Sequence, residues 1–68
     1  MFDDLTILLA SARAARCIEA IEKARDYRAS VRTHVACECR VWAEEHEHII
    51  GSEAATLIWD MADELELA

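Results

Sequence analysis

The chain has no proline and a single glycine, Gly51, among its 68 residues. Poverty in breakers, beside 54% hydrophobic residues and many alanines, points to an all-helical protein and excludes a disordered one. No glycine-rich loop exists to cradle phosphate. No Lys or Arg follows Arg40, and the last 28 residues carry eight acids. Such a surface excludes nucleic acid as a partner, because phosphate binding needs clustered bases. No apolar run approaches the roughly 18 residues of a membrane span. The opening MFDDLTILLASAR has Asp where a signal peptide needs a basic n-region, so a cytoplasmic protein is expected. Three cysteines in that setting are expected as free thiols or ligands, not disulfides.

So short a chain is one domain, and it buries only about 60% of its unfolded surface. Help from disulfides, metal or oligomerisation is then common. Net charge is −7, unevenly spread: all seven bases lie between Arg13 and Arg40. A basic protein surface suits such a chain better than phosphate does.

The stretch Val31–Ile50 holds all three histidines, two cysteines and a tryptophan. Read at ~100° per residue it is a helix with two soft sides. Val31, Val35, Cys39, Trp42, Ala43, His46, Ile49 and Ile50 form the main stripe; His34, Cys37, Val41 and His48 lie opposite. Ahead of it, Asp3 is an N-cap, Asp4 a first-turn acid, and Phe2 with Ile7 a hydrophobic staple. The main stripe of this first helix is Ile7, Ala10, Ala14, Cys17, Ile18, Ile21 and Ala24. Leu5, Leu8, Leu9, Ala12 and Ala15 make its first half apolar nearly all round. Residues 25–31 offer no breaker, and a tight turn is expected there. One continuous helix to Ile50 would span roughly 70 Å, which only a coiled-coil dimer would support. Gly51 then ends the second helix, and Ser52 caps a third with the stripe Ala54, Leu57, Ile58, Met61, Ala62 and Leu65.

The expected fold is all-α: a helical hairpin plus a short third helix, over about 3–25, 29–50 and 53–66. Assembly as a homodimeric bundle is expected, with Leu5, Leu8, Leu9, Ala12, Trp42 and His46 in the interface. Metal chemistry is weighed on the central helix. His34 and Cys37 stand at i, i+3, Glu44 and His48 at i, i+4, and Glu45-x-x-His48 matches the short motif of diiron bundles. Cys37 and Cys39 diverge on a helix, however, and no second segment supplies a matching pair. A solvated face is the preferred reading, with no metal or other cofactor. Cys17 and Cys39 lie on the apolar stripes of their helices, where antiparallel packing brings them close as core filling. Three short helices leave little room for a catalytic pocket, so an enzyme is not expected.

The expected function is protein binding. Trp59 and Met61 beside Asp60, Asp63 and Glu64 resemble a helix-in-groove ligand with an acidic rim, suited to a basic or grooved partner. In size, acidity and alanine content the chain resembles phage-encoded inhibitors of host proteins, a likeness of composition and not of motif. It implies a viral protein that binds and inhibits its partner. The competing class is a metal- or redox-responsive dimer built on His34, Cys37 and His48.

Overall fold

Alanine sets the spacing of this molecule. The buried side chains fall at heptad-like intervals on each helix: Ala10, Ala14, Ile21 and Ala24; Ala36, Cys39 and Ala43; Ala55, Ile58, Ala62 and Leu65. Strict spacing of three and four residues directs a seam at a neighbouring helix. Small side chains along the seam let the backbones approach closely. The computed structural model describes residues 3–67 and measures 40 × 16 × 14 Å over its Cα atoms. It is a slim bundle of α1 (Asp4–Ala24), α2 (Ala29–Ile50) and α3 (Ser52–Leu67), with no strand among the described residues. The hairpin and third helix expected from the sequence are both present.

α1 starts where its cap directs it. The Asp3 carboxylate accepts a 2.8 Å hydrogen bond from the Thr6 amide, satisfying one of the first-turn donors that no helix can satisfy internally. Hydrogen bonding from the Thr6 side chain, and next from this amide, holds the Asp3 carboxyl below its ordinary pKa. Phe2, the other half of the expected staple, lies outside the described residues.

The chain reverses at residues 25–28, so the two long helices form a hairpin. No glycine or proline makes this turn; arginines shape it. Arg28 takes an extended conformation (φ −64, ψ 161), and its side chain donates to Ser30 Oγ. The Arg32 guanidinium donates to the Tyr27 carbonyl, closing the loop from the first turn of α2. Folding back here lets Ile21 and Ala24 share one core with Ala36 and Ala43.

Gly51 alone joins α2 to α3. Its amide donates to the Glu47 carbonyl at 2.8 Å, and its own carbonyl accepts from Ala55, so one residue closes one helix and opens the next. The conformation required, φ 91 and ψ 157, is a region open essentially to glycine alone. α3 therefore begins at Ser52, one residue earlier than its sequence signals indicate.

Among the described residues Ile21, Ile58 and Leu65 are the largest side chains that are fully enclosed. Val35, Trp42, Ile50 and Met61 pack around the core's edge. Ala36 and Ala55, beside the expected stripes, are buried, whereas Leu57 on the α3 stripe is half exposed. No helix is long and apolar enough to cross a membrane.

Candidate protein-interaction surfaces

The first surface is the N-terminal half of α1. Leu5, Leu8 and Leu9 are 60–67% exposed and Ile7 is 43% exposed, and Ala12 and Ala15 are exposed beside them. Every buried α1 side chain lies from Ala10 onward. Intramolecular packing thus covers one stripe of this half-helix and leaves its leucines to solvent. Monomeric proteins seldom expose so continuous an apolar face without a use for it.

The second surface is a groove of about 530 Å³ between α1 and α2, walled by Leu9, Ala10 and Arg13 on one side and Trp42, Glu45 and His46 on the other. His46 stacks on the Trp42 ring at 4.5 Å with 14° between planes. Its Nδ1 lies 2.8 Å from the Trp42 carbonyl. A carbonyl only accepts, so Nδ1 is the donor in this contact. The six residues read from the sequence as one interface therefore divide between two surfaces. Leu5, Leu8 and Ala12 stand on the outer face of α1; Leu9, Trp42 and His46 line the groove.

α3 carries the third surface, and here Arg40 rearranges the expected picture. Its guanidinium reaches across from α2 to Asp63 at 2.9 Å and to Glu66, and lies 5.6 Å from the centroid of the Trp59 ring. The hydrogen bond to Glu66 leads the causes holding the Arg40 guanidinium above its ordinary pKa. Arg40 is mostly covered while Asp63 stays mostly exposed, so the cluster clips α2 to α3 at a strength of about 1 kcal/mol. Of the five residues read as a docking set, Trp59 and Asp63 thus serve this clip and Met61 packs on the core edge. Asp60 and Glu64 face solvent. With Glu53 they have no ion-pair partner among the described residues. Leu57, half exposed, stands among them over a shallow depression shared with Glu53, Thr56 and Asp60. Leu57 was missed as a surface anchor because it shares the apolar stripe of Ile58 and Met61. A helical wheel gives no sign that the bundle leaves that edge open.

His34, Cys37, Glu44, Glu45 and His48 all lie on exposed positions of α2. No group of three or more His, Cys, Asp or Glu side chains is placed to hold a metal ion among the described residues. The cysteines are free and differ in setting: Cys37 is exposed, Cys17 half-buried and Cys39 buried. Cys39 Sγ donates to the Cys17 carbonyl at 3.7 Å, so the two helices meet where the stripes indicate. Burial, and next the neighbouring Cys17, push the Cys39 thiol up to about 12, which suppresses the reactive thiolate. Treated with iodoacetamide at neutral pH, the native protein is expected to be alkylated at Cys37 while Cys39 stays protected until the chain unfolds. Peptide mass spectrometry reads the order, and early labelling of Cys39 would contradict the packing described.

Comparisons with protein families, curated proteins and solved structures give no match to this chain.

Proposed function

We propose that this protein is a small acidic binding module that docks on a basic partner protein through the outer face of α3 and self-associates through α1. One observation carries the reading. Glu53, Asp60 and Glu64 surround the half-exposed Leu57 with no ion-pair partner among the described residues, while Arg40 is already committed to Asp63 and Glu66. An apolar anchor inside a rim of one charge sign is the layout of a docking helix. The rim speeds encounter with a basic surface, and the anchor slows release. Covering a partner's basic surface also blocks whatever that surface contacts, which is a physical route to inhibition. The role is binding, not catalysis, with no cofactor, and the setting is the cytoplasm, where free thiols persist.

The test separates rim from clip. Asp63→Lys would disturb Arg40 as well as the surface, so Asp60→Lys/Glu64→Lys is the cleaner charge reversal and Leu57→Ala the cleaner truncation. Wild-type and variant proteins are immobilised and challenged with lysate of the source organism over a salt series. The wild type is expected to retain a basic protein that elutes as salt rises. The double reversal should weaken retention by about 10-fold or more at low salt and flatten the salt dependence. Loss of the Leu57 side chain should cost about 1–2 kcal/mol of affinity. Identical retention by all three columns would show that α3 is only a solvated face.

A further inference from the structure

The outer ridge of α1 has a pattern of its own, and it deepens the self-association proposed above. Leu5, Leu8, Ala12 and Ala15 follow one another at intervals of three, four and three residues, the a/d spacing of a coiled-coil seam. At 100° per residue the middle of this stripe lies about 180° from the middle of the buried stripe, so no part of this bundle can cover it. The pattern stops at once: Glu19 and Glu22, the next two positions of the stripe, are exposed acids. Charge also divides along its flanks, with Asp4 beside one end and Arg16 beside the other.

We infer that a second copy of this chain covers the ridge, the two α1 helices running antiparallel about a twofold axis level with Ala10. In that register Leu8 of each chain packs over Ala12 of its mate and Leu5 over Ala15, so large side chains meet small ones in every layer. The Asp4 end of one ridge lies level with the Arg16 end of the other. The antiparallel helix dipoles attract, and the acids Glu19 and Glu22 lie beyond the seam. A parallel pair would instead set acid against acid at Asp4 and Glu19, and base against base at Arg16. For a chain of net charge −7, this balanced segment is also where a copy approaches with least repulsion. Four ridge residues per chain make a seam far smaller than the roughly 20–30 residues a side of a standard interface, so a weak dimer, forming at micromolar concentration, is expected.

Sedimentation equilibrium of the full chain from about 5 to 500 µM tests this. The wild type is expected to fit a monomer–dimer equilibrium of 7.7 kDa chains. Leu8→Glu should raise the dissociation constant by at least about 30-fold, with helicity by circular dichroism unchanged. Arg16→Glu should also weaken the dimer, because it brings acids level with acids, and Asp4→Arg/Arg16→Glu should restore it. A wild type that stays monomeric at the highest concentration overturns the inference, as does a trimer or a dimer indifferent to Leu8→Glu. Failure of the double variant to recover overturns the antiparallel register. A lysate protein captured only by the intact ridge of a monomeric wild type assigns the face to a different partner. None of these outcomes touches α3, so the proposed docking face stands or falls separately.

Discussion

Ile58→Ala is expected to remove about 3 kcal/mol of stability and leave the protein largely unfolded at 37 °C. Ile58 is fully enclosed, and it shares that position with only two other large side chains, Ile21 and Leu65. The rest of the core is alanine and one cysteine. Those short side chains cannot rotate into a cavity at Ile58, and the larger Val35, Trp42, Ile50 and Met61 hold the core's edge. The lost transfer free energy then stands with the full cavity term added. A 68-residue chain has roughly 3–5 kcal/mol from a single core, so one substitution consumes most of it. Urea denaturation followed by circular dichroism reads the change. A midpoint shifted by less than would correspond to about 1 kcal/mol would mean that the bundle collapses around the gap.

Helix positions and faces were legible in the sequence because each helix carries its own periodicity. Ile21, Ala43, Ile58 and Leu65 sit where the stripes put them. What periodicity cannot supply is the rotation of one helix relative to the next. Leu8 and Trp42 were joined in one interface because both are large apolar surfaces in so short a chain, yet an α1 residue can point away from α2 or along its flank. Only the packed bundle distinguishes them. Ala36 and Ala55 escaped because they lie just beside the stripes, and the burial of so small a side chain follows from close backbone approach and the helix's rotation. Arg40 shows the same limit for charge. Its partners lie 23 and 26 residues on, beyond any local pairing rule, so no sign in the sequence marks Arg40 as the clip that holds Trp59 and Asp63. The third surface changes meaning accordingly, with Leu57 replacing Trp59 as the anchor the docking reading uses.

Ala43→Leu should be about as damaging as the loss of Ile58, for the opposite reason. Ala43 has no exposed surface and lies on the seam of α2 with Ala36 and Cys39, the helix that packs against both others. Three added carbons have no void to enter, so the leucine must leave its preferred rotamer or force a neighbouring helix outward. Overpacking of this kind typically costs 1–3 kcal/mol. Here the upper end is expected, because separating the helices also strains the one-residue Gly51 joint and pulls Arg40 from Asp63 and Glu66. The same enlargement at Ala15, exposed on the outer ridge of α1, should leave the monomer's stability within about 0.5 kcal/mol. Thermal melts of the two variants, at concentrations where the chain is monomeric, make the comparison. A fall in melting temperature of at least about 8 °C is expected for Ala43→Leu and almost none for Ala15→Leu. If Ala43→Leu melted with the wild type, the alanine seam would not be setting the distance between the helices, and the slim cross-section would need another cause.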